Sequence, residues 1–346
     1  MKEKRDFWVD AFKAICMICV YVYHTGFYYG IDYHKLTQPI TPFYVNGFFF
    51  ISGYLLFKSF FKKDIYLKKD FIKSFKNILF KLVIPTLLFS IIAYLAKYRG
   101  ISDINHFCIL TFGGTSFWFT SALSISQIAI TLLFLSNRKN IWLYLFLSVI
   151  ILVLINTSGK IGNGIPVEEY FPWFWQTGLL YIFIMCLGGI YYKYEHVIIK
   201  FINRAYIISS LLLSYVGILY YSSIAPTYCF GLSGKNNFMG IIGTILAILI
   251  LIYITQKIRR GHLFQFIGKH SIIFYFLSGI VPITISAIAN HFITEKTYII
   301  YICVTAISLV TSGTIAYIIS RYFSFVTDLR KLDKRKTNKQ LCQQEK

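Results

Sequence analysis

Charge is what this sequence has least of. Only 14% of its 346 residues are charged, and acidic side chains are the scarcest, with 14 Asp and Glu against 35 Lys and Arg. Soluble chains run near a quarter charged, so a soluble enzyme, a disordered chain and a collagen-like repeat are excluded. The 7 cysteines do not read as a disulfide framework. Cys16, Cys19, Cys186 and Cys303 lie within apolar runs, and Cys342 lies in a basic tail. Cys16-x-x-Cys19 has the spacing of a redox or zinc pair, but it sits inside an apolar helix with no second pair. Packing as small apolar side chains is its expected role. A Walker loop, a Rossmann glycine cluster, a metal-spaced His/Cys set and a repeat of fixed period are also missing, so no metal is expected.

What the chain has instead is apolar length. Hydrophobic residues make up 56% and aromatic residues 19%. They gather in stretches of about 20, the length that crosses a bilayer as a helix. Backbone polar groups in lipid must be satisfied within their own segment, so such runs form helices. The expected fold is all-α, a polytopic membrane helix bundle of about ten transmembrane helices. The spans fall near 8–29, 40–60, 78–97, 116–135, 141–156, 172–193, 203–222, 237–256, 270–290 and 297–320. The fifth is short, which suits a tilted or partly re-entrant segment. Residues 1–324 are read as the transmembrane domain and 325–346 as a basic cytoplasmic tail. The first span follows Met1-Lys-Glu-Lys-Arg5 without a small-residue cleavage site, and so reads as a retained helix.

The placement of the basic residues points to a membrane rather than to nucleic acid. Lys2, Lys4 and Arg5 precede the first span, and seven lysines from Lys58 to Lys76 fill the second connection. Every second loop after that is again basic: Arg138 and Lys139, then Lys193, Lys200 and Arg204, then Lys257, Arg259 and Arg260. The alternate loops are nearly uncharged or acidic, as in Gly162-Asn-Gly-Ile-Pro-Val-Glu-Glu169. Ten spans with both ends in the cytoplasm satisfy the positive-inside rule at every loop. The tail, with Arg330, Lys331, Lys334, Arg335, Lys336 and Lys339, is expected to lie on anionic lipid. The location implied is the cell membrane, of an AT-rich bacterium by its Lys, Ile, Asn and Phe usage.

Ionisable groups within spans are expensive and usually functional, which narrows the search for chemistry. The strongest cluster is Asp10-x-x-Lys13-x10-His24 on the first helix. The eleven residues from Lys13 to His24 rise about 16 Å and turn about 1100°, within about 20° of three full turns. The two side chains therefore share one helix face, the lysine toward the cytoplasm and the histidine toward the outside. Asp10 lies three residues before Lys13 and can pair with it. Such a face could hold an anionic ligand at one end and move a proton at the other. Two plainer readings stand beside it: Lys13 snorkelling to headgroups, and His24 as a hydrogen-bonded interfacial residue.

These residues carry a resemblance. Asp10-x-x-Lys13-x10-His24 resembles the first-helix signature of the acyltransferase-3 family of integral membrane acyltransferases, in which arginine usually stands where this chain has Lys13. Further segments resemble that family in its order: Phe48-Phe-Phe-Ile-Ser-Gly-Tyr-Leu-Leu56, Lys81-Leu-Val-Ile-Pro85, Ser116-Phe-Trp-Phe-Thr-Ser-Ala-Leu123 and Gly268-Lys-His-Ser-Ile-Ile-Phe-Tyr275. They run through nearly the whole chain. Two departures stand out. Ser278 occupies the place of a histidine found in many relatives, and Lys73, Lys76 and Lys81 are spaced more widely than the arginines that often precede the proline.

The resemblance implies a donor, acyl-CoA, whose phosphates meet Lys13 and Lys81 and whose thioester approaches His24. His24 would serve as general base on a sugar hydroxyl or accept the acyl group transiently. Acetyl is the implied group, and a surface-polysaccharide or lipid-linked sugar the implied acceptor, an O-acetylation. Asp10, Ser52, Trp118, Tyr275 and Ser278 are expected in support. Ser52 reads equally as a small residue for close helix packing, and Trp118 equally as packing or a membrane anchor. Gln127 and Gln176 are amides suited to a polar cavity. His34, His106, His196, His262 and His291 fall in loops or at span ends and His270 begins a span; most of these are expected to be solvated. A reading from another class, a non-enzymatic exporter or flippase of a glycan or lipid, fits ten helices with a polar seam as well.

Overall fold

The computed structural model describes residues 6–32, 34–62, 68–98, 100, 103–114, 116–136, 140–157, 172–224, 237–258, 260–293 and 295–323. The basic tail, the 162–169 loop, Arg138, Lys139 and Arg259 lie outside the described residues. Among the described residues there is no strand. The helices are α1 (Phe7–Tyr29), α2 (His34–Thr37), α3 (Thr41–Tyr44), α4 (Asn46–Phe61), α5 (Lys68–Ile78), α6 (Ile84–Tyr98), α7 (Ile104–Thr111) and α8 (Trp118–Ser136). They continue with α9 (Ile141–Thr157), α10 (Trp175–Ile202), α11 (Ala205–Ile224), α12 (Asn237–Lys257), α13 (His262–Lys269), α14 (Ser271–Phe292) and α15 (Tyr298–Tyr322). The chain is a polytopic helical bundle. Among the described residues, 7 helical stretches are long and apolar enough to cross a membrane. Each expected span overlaps one of α1, α4, α6, α8, α9, α10, α11, α12, α14 and α15.

Local chemistry explains where the elements depart from the expected spans. Lys68–Ile78, read as part of a basic connection, is helical and runs through a π turn (Leu79–Val83) into α6. Its apolar Phe71, Phe75 and Ile78 recur at helical spacing, as do Lys69, Lys73 and Lys76, so one helix carries an apolar and a basic side. The short fifth span is an uninterrupted helix, α9. The late motif, by contrast, is broken. His270 closes α13 with its N–H donated to the Phe266 carbonyl at 3.1 Å, and opens α14 by accepting from Ile273 N at 2.9 Å.

Helix α1 packs against α4, α12, α13, α14 and α15, and its residues Phe12, Ala14, Cys16 and Met17 are core. Cys16 and Cys19 are both buried free thiols, and Cys16 is in contact range of Gly47 at the start of α4. Helix α4 therefore begins beside the middle of α1 and runs back along its first half. There, Lys58 pairs with Asp6 at 2.5 Å. The tightest packing joins α4 to α10. A Cβ at Gly53 would lie 2.1 Å from the Met185 carbonyl oxygen, and one at Gly188 would lie 2.1 Å from that of Phe50. Only glycine permits this approach, the usual device where lipid supplies no hydrophobic drive to helix pairing. Phe49 stacks on Tyr181 across the seam at 3.9 Å, and Tyr54 donates to Glu195 at 3.1 Å.

Candidate active site

A cavity of about 670 Å³ lies between α1, α4, α5, the π turn, α8 and the α13–α14 corner. That volume falls within the range of small-molecule sites. Helix α1 presents Lys13 and, one turn further, Met17; α4 presents Phe48, Ser52 and Ser59. The π turn contributes Lys81. A π turn holds an extra residue per turn and rotates the side chains beyond it, and such turns are frequent at functional sites. Helix α8 adds Thr120 and Gln127, and the α13–α14 corner adds Lys269, His270 and Tyr275. Among the described residues, three lysines and a histidine line one space whose lining includes no carboxylate. Lys81 and Lys269 are exposed, whereas Lys13 and His270 are half-buried. Basic side chains drawn from three elements suit an anionic ligand.

The far wall is aromatic. Tyr275 lies 5.1 Å from Phe119 by ring centroids, and Phe119 lies 5.6 Å from Phe48. Thr120 also meets Thr86 through their hydroxyls at 2.7 Å, which ties α8 to α6 behind this wall. Polar side chains at one end and aromatic rings at the other can hold a charged head and a less polar arm.

The structure brings together some of the expected site residues and not others. Lys13, Lys81, Ser52, Tyr275 and Gln127 share the cavity. His24 is not in its lining. It lies seven residues beyond Met17, about 10 Å further along nearly the same face of α1. Its imidazole stacks near-parallel on Tyr28 at 5.9 Å and meets Tyr23 edge-on at 5.8 Å. Asp10 is fully buried beneath Gly268, where a Cβ would come within 2.1 Å of the Asp10 carbonyl oxygen. Ser278 is turned onto its own helix, donating to the Tyr275 carbonyl at 2.7 Å. Trp118 packs among aromatics, 6.3 Å from Phe174, and Gln176 likewise stands apart from the lining.

Sequence reasoning missed Lys269 and His270. His270, expected to begin a span, is half-buried and lines the cavity. The signal was present in the quoted Gly268-Lys-His-Ser segment, where two basic residues adjoin a glycine at the start of a span. Spacing along one chain does not say which other helices that corner faces. Among the described residues, no group of three or more His, Cys, Asp and Glu side chains could hold a metal ion.

Comparison with known proteins adds one finding. A family model described as an acyltransferase domain, of the acyltransferase-3 type, matches residues 6–321, nearly the whole chain. No curated protein and no solved structure matches it.

Proposed function

On the premise that the chain belongs to the acyltransferase-3 family and is a membrane acyltransferase, we propose that it moves an acetyl group from cytoplasmic acetyl-CoA to a hydroxyl of a surface-polysaccharide or lipid-linked sugar. The observation that carries this reading is the cavity that brings together Lys13 and Lys81, on the face of α1 that helical pitch gives to His24. The phosphates of the donor meet the two lysines, and its thin arm extends past Met17 toward His24.

The step follows from that arrangement. An unprotonated nitrogen of His24 accepts the proton of the sugar hydroxyl as its oxygen attacks the thioester carbonyl carbon. The carbon–sulfur bond breaks, the ester forms, and the thiolate of CoA leaves with the proton returned by the imidazolium. Asp10 supports the site through the backbone contact that seats α13 on α1. Its test is release of free CoA from acetyl-CoA by the purified protein in nanodiscs, with candidate glycans supplied as acceptor. Glycan-dependent release together with acetylated product is the expected outcome. Movement of glycan across the bilayer without any release would refute transfer and favour an exporter.

A further inference from the structure

We infer that the outward face of α5 is a binding surface for anionic phospholipid, formed by Lys69, Lys73 and Lys76 with Ile72 and Phe75 beside them. It concerns the lipid partner of the chain and holds whatever occupies the cavity on the other side of α5.

Three arguments carry it. The first is depth. The helical stretch Lys69–Leu95, made of α5, the π turn and most of α6, is 27 residues long. It reaches about 40 Å, against about 30 Å of hydrocarbon in a bilayer. About 10 Å of it therefore stands in the polar headgroup layer. No charged residue occurs from Leu82 to Leu95, so the excess lies at the lysine end. The rise from Lys69 to Lys76 is itself about 10 Å.

The second is segregation. Helical pitch puts the three lysines within about 60° of arc and Ile72 and Phe75 within about the next 100°. All five side chains are exposed. The opposite side of α5 is taken up by the bundle: Ile78 is buried, Phe71 packs against the core, and Ser74 and Asn77 line the cavity. Asp70, the acidic residue of the helix, falls within about 20° of Asn77 and is half-buried. The outward face is thus basic along one flank and apolar along the other.

The third is complementarity. A phospholipid offers both halves of the match, a phosphate for the ammonium groups and an acyl chain for Ile72 and Phe75. Lysine stems can lie along the chain while their charged ends reach the headgroup. A soluble polyanion would meet the lysines and leave the two apolar side chains uncovered. Net negative charge on the lipid is what three lysines select over a zwitterionic headgroup.

The test takes delipidated full-length protein in detergent, titrated with phosphatidylglycerol or with phosphatidylcholine, and reads retained lipid by native mass spectrometry. The wild type is expected to retain phosphatidylglycerol in preference, and less of it as salt shortens the reach of the charges. Each lysine near an anionic surface changes binding about fivefold. A triple variant with Lys69→Gln, Lys73→Gln and Lys76→Gln should therefore lose about a hundredfold in phosphatidylglycerol affinity, with phosphatidylcholine retention unchanged. The matching Lys→Arg triple keeps the charge and should keep the preference. A control with Lys193→Gln, Lys200→Gln and Lys257→Gln removes the same charge from exposed positions on α10 and α12. It should retain phosphatidylglycerol as the wild type does, and all three triples should melt as the wild type does. Equal retention of the two lipids by the wild type would overturn the surface, as would an undiminished preference in the α5 Gln triple. A loss in the control as large as in the α5 triple would reduce the effect to net charge and overturn it too. Displacement of phosphatidylglycerol by inorganic tripolyphosphate at equal concentration would assign the lysines to a soluble polyanion, with the same consequence.

Discussion

Gly268→Ala is expected to weaken the fold and the proposed donor site together. A Cβ at this position would lie 2.1 Å from the Asp10 carbonyl oxygen and 2.6 Å from its carbonyl carbon and Cα. Cβ contacts below 3.0 Å essentially never occur, so α13 and α1 must part by at least about 0.9 Å. Neither can yield by rotating a side chain, because the obstruction is helix backbone, and α1 is held by four further helices. Overpacking of this kind costs about 1–3 kcal/mol. The same shift carries Lys269 and His270 away from Lys13, and a misplacement of about 1 Å in a positioned site can cost about a hundredfold. Thermal unfolding in detergent and CoA titration in nanodiscs would measure the two effects side by side. Gly279→Ala on α14 is the control: no atom stands within 4 Å of its would-be Cβ. Replacing glycine by alanine in a helix interior gains up to about 1 kcal/mol, so this variant should be neutral or more stable. A Gly268→Ala protein with wild-type melting and wild-type CoA affinity would refute the contact as the device that sets the corner.

Three further outcomes are expected. Lys13→Ala should weaken acyl-CoA binding about ten- to a hundredfold, while Lys13→Arg keeps much of the activity; unchanged donor affinity in the alanine variant would leave Lys13 as a headgroup anchor. His24→Ala should insert and melt as the wild type does yet lose acyl transfer by about 10²–10⁴, the usual worth of a general base. His24→Gln keeps a hydrogen-bonding side chain without a basic nitrogen, and near wild-type transfer by it would reduce His24 to a positioning residue. Impermeant thiol reagents should label a cysteine at Glu295 from outside the cell but not one at Lys62, and the opposite pattern would invert the topology drawn from the positive-inside rule.

Whatever depends only on neighbours along the chain could be read from the residues. Apolar runs long enough to satisfy their own backbone must be helices, so the polytopic all-α class was legible from composition and periodicity. The shared face of Lys13 and His24 follows from helical pitch alone. The segments of the family motif were legible as strings, with Ser52, Lys81 and Tyr275 among them. Which of these residues meet depends on how remote helices pack. Lys13, Lys81 and Lys269 are brought to one cavity by α1, a π turn and the end of α13, whose mutual distances no spacing encodes. Helix α4 begins only halfway along α1, so the cavity flanks Lys13 and Met17 and stops short of His24. The break at His270 places the residue that begins the ninth expected span in the cavity wall, where backbone contact between Gly268 and Asp10 sets its position. Helix formation is a local balance of hydrogen bonds and burial, whereas a cavity is the space left by helices packed from remote parts of the chain, and its shape is set by which small residues let their backbones touch.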